Sequence, residues 1–228
     1  MIHQTFYRVD EGIYSTGSQL DMCYPMLVGV VPDSLYNKVK ENVVTMTEEK
    51  HKGHIAVGLV GVPILTEWAV RNKQVDFFYQ MMKKRDYPGY LYMIDNGATA
   101  TWEYWSGERS RVHNCYNGIG TWFYQAIGGL KLDEAAPGYR HVFIDPQIPT
   151  GVTWARITKE SPYGEIAVRW ELKDSRLNLQ VSVPAGVTAT VCTPKNAVIC
   201  QKDGKKINIE KGSVAVEAGE FAFEFLLQ

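Results

Sequence analysis

The amino-acid sequence predicts an α+β chain of two domains in series, stacked helical hairpins over residues 1–130 and an antiparallel β-sandwich over 131–228. Three observations carry this reading. Apolar residues recur at the near-3.6 spacing of amphipathic helices through the first part. After about residue 131 the period changes to two, with β-branched and aromatic residues alternating with polar ones. No helical pattern separates the strand segments, which favours a sandwich over a parallel α/β sheet.

The elements follow in order. "DSLYNKVKENVVTMTEEK" (33–50) opens on a Pro-Asp-Ser start and sets Leu35, Val39, Val43 and Met46 on one stripe. "PILTEWAVRN" follows the glycine-rich "VGLVGV", with Pro63 suited to a first helical turn. "KQVDFFYQMMKKR" (73–85) repeats the pattern and stops before Tyr87-Pro88-Gly89. Asp95-Asn96-Gly97 predicts a turn. "HNCYNGIGTWFYQAIGG" (113–129) predicts a further helix, with Cys115, Ile119, Trp122, Phe123, Ala126 and Ile127 apolar and two glycines as the stop. Gly118 and Gly120 lower helix propensity there, so close packing is the expected reason for them. The strands are expected in "VTWARITKES" (152–161), "GEIAVRWELK" (164–173), "RLNLQVSVP" (176–184), "VTATVCTP" (187–194) and "GEFAFEFLLQ" (219–228).

With 228 residues, 45% apolar and 21% charged, the chain has the make-up of an ordinary globular protein with room for a core. A net charge of −1 without a Lys/Arg block offers nothing to nucleic acid or to an anionic membrane. No apolar run approaches the roughly 20 residues that span a bilayer. "MIHQTFYRVDEG" is polar where a signal peptide needs an apolar core, so none is expected at this end. Cysteines 23, 115, 192 and 200 contain no C-x-x-C spacing, and neither a metal nor a cofactor is expected. Cys192 and Cys200 flank "TPKNAVI" and could face each other across a hairpin centred on Asn196; reduced core thiols are the preferred reading.

The chemistry concentrates in "NGATATWEYWSGERSRVHNCYNG" (96–118), where Glu103 sits between Trp102 and Tyr104 with Trp105 close behind. Burying an unpaired carboxylate costs several kcal/mol. Glu103 is therefore either a satisfied structural acid or the lining of a pocket. Trp102 and Trp105 would offer flat faces to the C–H side of a pyranose, and Arg109, Arg111 and His113 are neighbours in sequence for the carboxylate. Glu67 and Trp68 read as a solvated acid and a packing residue of one helix, and Glu108 as a turn residue. In the strand half the acids and lysines alternate as a solvated face, and no constellation appears.

"GHIAVGLVGVPILTE" (53–67), "DYPGYLYMIDNGATATWEYWSGE" (86–108), "RVHNCYNGIGTWFYQAIGGL" (111–130) and "SPYGEI" (161–166) resemble the C-terminal portion of bacterial α-L-rhamnosidases, glycoside hydrolase family 78. The resemblance is most specific at "GATATWEYW", against the family's Gly-Ala-Thr-Thr-x-Trp-Glu-x-Trp, and weaker after about residue 165. It implies the end of an (α/α) barrel followed by a small β-sandwich, and hydrolysis of terminal α-L-rhamnosides with inversion. It puts Glu103 in the place of the general base, and His113 and His54 beside the sugar. "SRVHN" departs from the family's S-x-N-H, with Val112 where the asparagine stands. The family's general acid lies upstream, in barrel helices this chain does not contain, so base without acid is the expectation. Such a chain would by itself be at best a very poor enzyme.

The competing reading is a non-catalytic carbohydrate-binding or scaffold module that keeps the aromatic pocket. In either case the partner is a carbohydrate, an α-L-rhamnoside on the first reading. A partial barrel leaves apolar stretches such as "YPMLVGVV" (24–31) open, so self-association or a partner chain through the helical half is also expected.

Overall fold

The computed structural model describes residues 1–208 and 212–228. It divides into two compact units, Met1–Trp122 and Phe123–Gln228. The first opens with α1 (Ile2–Phe6) and a two-stranded hairpin of β1 (Tyr7–Arg8) and β2 (Ile13–Tyr14). Then come α2 (Gln19–Leu27), α3 (Asp33–His51), α4 (Gly61–Arg71), α5 (Val75–Met82), α6 (Tyr90–Asp95) and the short α7 (Gly120–Trp122).

Local chemistry explains the helix ends. Ser18 caps α2 by accepting from the Asp21 N–H at 3.1 Å. The Pro-Asp-Ser start of α3 makes no side-chain cap; Asp33 in the first turn complements the helix dipole, and Lys52 ends the helix in the left-handed region at φ 51°. The buried stripe of α3 is Val39, Val43 and Thr47, with Leu35 and Met46 only half-buried. Thr47 takes the inner place because a buried amide, that of Gln19, needs its hydroxyl.

Among the helices α4 buries the most residues, including Val62, Leu65, Thr66, Trp68, Ala69 and Val70. The Trp68 indole N–H points at the Met26 sulfur 3.1 Å away on α2. Glu67, as expected, faces outward and pairs with Arg71 at 2.6 Å. Gly118 lets its chain approach α4: a Cβ there would lie 3.0 Å from the Pro63 nitrogen, whereas one at Gly120 would meet nothing.

Residues 113–129 are not one helix. A 3₁₀ turn (Asn117–Ile119), α7 and a π-helical turn (Phe123–Ile127) succeed one another, and Phe123 is exposed. The Thr101 hydroxyl occupies the His113 carbonyl, the Asn117 N–H bonds the Asn114 carbonyl, and Gly118 and Gly120 weaken the next turn, so a regular helix is disfavoured there. The apolar pattern still marks the buried side, with Cys115, Trp122, Ala126 and Ile127 inside.

The second unit contains β3 (Leu130–Leu132), β4 (His141–Ile144), β5 (Trp154–Ser161), β6 (Gly164–Lys173), β7 (Arg176–Val183), β8 (Thr188–Cys192), β9 (Ala197–Lys202), β10 (Lys205–Lys206), β11 (Ser213–Val216) and β12 (Gly219–Leu227). They form a six-stranded sheet, ordered β10-β9-β12-β7-β6-β5, and a four-stranded sheet, ordered β11-β8-β4-β3. Every pair is antiparallel except β4 with β8, which run parallel. Alternation sends Ile166, Val168 and Trp170 of β6 inward and Glu165, Arg169 and Glu171 outward. The buried Trp170 indole donates to the Ile127 carbonyl at 2.7 Å.

The hairpin between Cys192 and Cys200 does not form. β8 pairs with β11 in one sheet and β9 with β12 in the other, so the segment between them changes sheets. All four cysteines are thiols, and burial pushes that of Cys200 up to about 11. Among the described residues, no helix is long and apolar enough to cross a membrane.

In the first unit, Ile2, Phe6, Leu20, Tyr24, Val60 and Ile64 line an apolar groove of about 460 Å³. Tyr24, Val28 and Val60 are each more than half exposed, at 52%, 51% and 63%. A surface of this kind predicts self-association. Light scattering should give a mass that rises above the monomer's with concentration, and Tyr24→Lys combined with Val28→Lys should suppress the rise. A monodisperse monomer at high concentration would refute the expectation.

Candidate functional site

The segment between α6 and the 3₁₀ turn folds back on itself as an irregular hairpin. The His113 N–H donates to the Thr101 carbonyl at 2.8 Å and the Glu103 N–H to the Ser110 carbonyl at 2.9 Å. At the tip, the Gly107 N–H closes a turn on the Tyr104 carbonyl at 3.0 Å. Gly107 has φ 78°, and a Cβ there would lie 2.7 Å from the Trp102 ring, so two independent constraints require glycine. Arg109 also holds a left-handed backbone, at φ 56°.

Aromatic packing fixes this loop to its unit. The Trp105 indole donates to the Val57 carbonyl at 3.1 Å, stacks on Tyr116 with centroids 3.8 Å apart, and meets Tyr90 edge-on at 5.2 Å. The Tyr90 hydroxyl donates to the Tyr116 carbonyl at 2.8 Å. Burial pushes both phenols far above their ordinary value, so they stay neutral donors. Trp102 is 3% exposed, and the Arg111 guanidinium lies over its ring at 5.3 Å. Trp102 and Trp105 are thus both buried, with Arg111 against the ring of one and Tyr116 against that of the other.

Glu103 is the exception in this cluster, because its side chain retains 28% exposure. One carboxylate oxygen accepts from the Ser110 N–H at 3.3 Å, and the other lies 3.8 Å from the Arg109 guanidinium, which is itself 69% exposed. His113 lies ten residues along on the returning limb of the same hairpin, partly exposed. Its Nδ1 accepts from the Cys115 N–H at 3.0 Å, which leaves the ring proton on Nε2, where no protein acceptor engages it among the described residues.

His54 has a different setting. It is 4% exposed; Nδ1 donates to the Pro88 carbonyl at 2.8 Å and Nε2 lies 3.2 Å from the Asp86 carboxylate. Both ring nitrogens are therefore engaged, and the residue clamps the start of the 54–60 segment onto residues 86–88. The Asp86 carboxyl is lowered chiefly by its own backbone N–H and further by the charge and hydrogen bond of His54, against some desolvation.

Sequence reasoning did not single out Ser110, Thr101, Asn117 or Asp86. The Thr101 hydroxyl donates to the His113 carbonyl at 2.5 Å and lies 2.6 Å from the Asn117 side-chain amide. Thr101 and Ser110 belong to the aromatic-rich segment 96–118, and a hairpin reading of it would have paired them; nothing in the sequence links Asp86 to His54. Among the described residues, no group of three His, Cys, Asp or Glu is placed to hold a metal.

Residues 1–127 match the family model of the bacterial alpha-L-rhamnosidase six-hairpin glycosidase domain, and residues 129–208 match that of the bacterial alpha-L-rhamnosidase C-terminal domain. An alpha-L-rhamnosidase of Formosa agariphila is 30% identical over 223 residues, covering 87% of this chain and 24% of that protein. One of Alteromonas sp. is 27% identical over 210 residues, covering 87% of this chain and 22% of its own length. The chain thus spans less than a quarter of the length of these curated relatives. The crystal structure of Streptomyces avermitilis alpha-L-rhamnosidase complexed with L-rhamnose superposes with a TM-score of 0.86 at 28% identity, over 97% of this chain and 23% of that one. The alpha-L-rhamnosidase of Dictyoglumus thermophilum shares the fold, with a TM-score of 0.88 at 21% identity over 98% of this chain and 27% of that one.

Two measurements test this arrangement. Trp105→Phe strands the Val57 carbonyl in a buried place and should cost about 1–3 kcal/mol, while Gly107→Ala should cost more than about 1 kcal/mol; denaturant midpoints for both read the result. For acid, the sign follows from the lowered Asp86 carboxyl. Its contribution is complete above the unfolded value near 3.8 and disappears as pH falls through the lower folded value. Asp86→Asn should lower the thermal midpoint at neutral pH and flatten its fall below pH 3.8; an unchanged acid limb would remove Asp86 from the clamp.

Proposed function

Because the chain belongs to the bacterial alpha-L-rhamnosidase family, we propose that it is the C-terminal part of an inverting glycoside hydrolase that releases terminal α-L-rhamnose, with Glu103 as general base. In that reaction a Glu103 oxygen takes a proton from water as the water oxygen bonds to the anomeric carbon. The glycosidic bond breaks on the opposite face, and the leaving oxygen takes its proton from a second carboxyl group. The two carboxyl groups of such a site stand roughly 6.5–9.5 Å apart to admit the water. The second is expected from the upstream part of the barrel.

The observation that carries this reading is the setting of Glu103: 28% exposed, with one N–H at 3.3 Å and a largely exposed arginine at 3.8 Å. A satisfied structural acid would be a buried ion pair, worth about 3–5 kcal/mol when one partner is removed. An exposed pair like this one is worth about 0–1 kcal/mol. Stability gives the carboxylate little reason to be there; catalysis gives it one. His113 offers its Nε2–H to a sugar oxygen from the same hairpin. Trp102 and Trp105 serve as the buried floor that sets the loop, and His54 serves by clamping the segment that anchors Trp105.

The test is Glu103→Gln, made at the matching glutamate of a full-length relative and assayed for turnover and thermal midpoint together. Turnover should fall by at least about 10², the scale for losing a general base, with stability changed by less than about 1 kcal/mol. Unchanged turnover per folded molecule with a lowered midpoint would refute the assignment. General acid catalysis is worth about 10²–10⁴ in rate, so the 228-residue chain alone should hydrolyse an aryl α-L-rhamnoside at least about 10² more slowly than the full-length relative. Robust turnover by the purified chain would overturn the division of acid and base between its two parts.

A further inference from the structure

Two arginines face each other on the outer surface of the six-stranded sheet. Arg156 of β5 and Arg169 of β6 are register partners, and both are exposed. Among the described residues, neither guanidinium group donates a hydrogen bond or meets a carboxylate at ion-pair distance. Like charges directly opposite each other destabilise a sheet. The pair therefore works against the fold, with no direct ion pair to offset it among the described residues.

Their surroundings form a receptacle. The same cross-strand row continues through Gln180 of β7 to Ala222 of β12, and the next row runs from Ala167 to Ser182. Small side chains at these places make the floor of a depression of about 480 Å³ whose walls include both arginines and Gln180. Trp154 precedes Arg156 by two residues on the same face of β5 and is 68% exposed, and its row contains the Asn178 amide. An exposed indole, two unpaired guanidinium groups and two amides suit one ligand chemistry. The ring stacks on the apolar face of a pyranose, the amides take hydroxyl groups, and the guanidinium forks take a planar or tetrahedral anion.

The charge is local. Glu220 and Asp203 border the depression, and Glu171 lies in the Trp154 row. A continuous polyanion such as nucleic acid would meet these carboxylates in repulsion, whereas one acidic group on an otherwise neutral ligand would not. We propose that the outer face of the six-stranded sheet binds a saccharide bearing a carboxylate or sulfate group, with Arg156 and Arg169 on the anion and Trp154 under the adjoining ring. The site lies wholly within the second unit and is independent of the hydrolytic reading of the first.

Calorimetric titration of the 228-residue chain at low salt tests this with three probes: a glucuronic acid–glucose disaccharide, a monosulfated disaccharide and uncharged cellobiose. At least one anionic disaccharide should bind at least about 10-fold more tightly than cellobiose, and the tighter of the two identifies the anion as carboxylate or sulfate. Arg156→Gln with Arg169→Gln, and separately Trp154→Ala, should each weaken that binding by at least about 10-fold. The thermal midpoint of the arginine variant should hold or rise as the repulsion is relieved. Cellobiose binding as tightly as the acidic probes, no binding of any probe, or undiminished binding by the arginine variant would overturn the proposal. So would a midpoint that falls together with binding, because the arginines would then serve the fold.

Discussion

The side-chain amide of Gln19 is the contact on which the helical unit depends. It is 2% exposed, and its Nε2 donates to the Thr47 hydroxyl at 3.0 Å and the His54 carbonyl at 2.9 Å. Its oxygen accepts from the Ala56 N–H at 2.8 Å. One side chain on α2 therefore fixes α3 and the extended segment that begins at His54. A buried amide must be satisfied on both its donor and acceptor sides, since each group left unpaired costs about 1–3 kcal/mol. That requirement turns a polar residue into a register pin: only one placement of residues 54–56 completes it. The consequence travels along the chain. Val57 comes directly after, its carbonyl takes the Trp105 indole, and Trp105 holds the hairpin that carries Glu103.

The parts of the fold that could be read from sequence are those whose information is local. A strand with one buried face must alternate, so β6 and β7 appear in the residues almost as they appear in space. The helices α3, α4 and α5 show their 3.6-residue period for the same reason. Short strands such as β3, β10 and β11 are too brief to show a period, and they exist because a neighbouring strand offers them partners. The segment 113–129 failed as a helix because apolar spacing records which side is buried, not which hydrogen bonds the backbone makes. There, the Thr101 hydroxyl took the His113 carbonyl that a helix would have offered to Asn117, whose N–H bonds the Asn114 carbonyl instead.

The candidate site divides along the same line. Glu103, His113, Trp102 and Trp105 lie within one short stretch, and a single hairpin brings them together. His54 was also legible as a residue of interest, but its meaning depends on Asp86 and Pro88, more than thirty residues away, as the separations of 32 and 34 record. A histidine whose two nitrogens are both engaged by its own chain has no donor or acceptor left for a ligand. The same atoms that looked like a binding group hold a loop in place. Cys192 and Cys200 teach a related point: eight residues of spacing suit a hairpin, but each strand found a better partner in a different sheet.

Within its aromatic surroundings, Glu103 is distinguished by how little holds its carboxylate. Every other feature of the loop is fixed by contacts that need no carboxylate: an indole on a carbonyl, a stacked ring pair, a glycine under a ring, an arginine over Trp102, and backbone bonds between the two limbs. The loop would keep this shape with an amide at position 103, because no short ion pair is needed to close it. An ionised carboxylate offers about four lone-pair sites. The Ser110 N–H at 3.3 Å uses one weakly, and an exposed arginine at 3.8 Å satisfies none of them with a hydrogen bond. A residue meant for structure would have had those sites filled, as Gln19 has. A residue meant to receive a proton from water must keep one of them open and aimed by a scaffold that does not depend on its charge. The contrast between these two side chains, one closed on all sides and one left half free on a rigid frame, is the clearest physical reason for reading the hairpin as a working site.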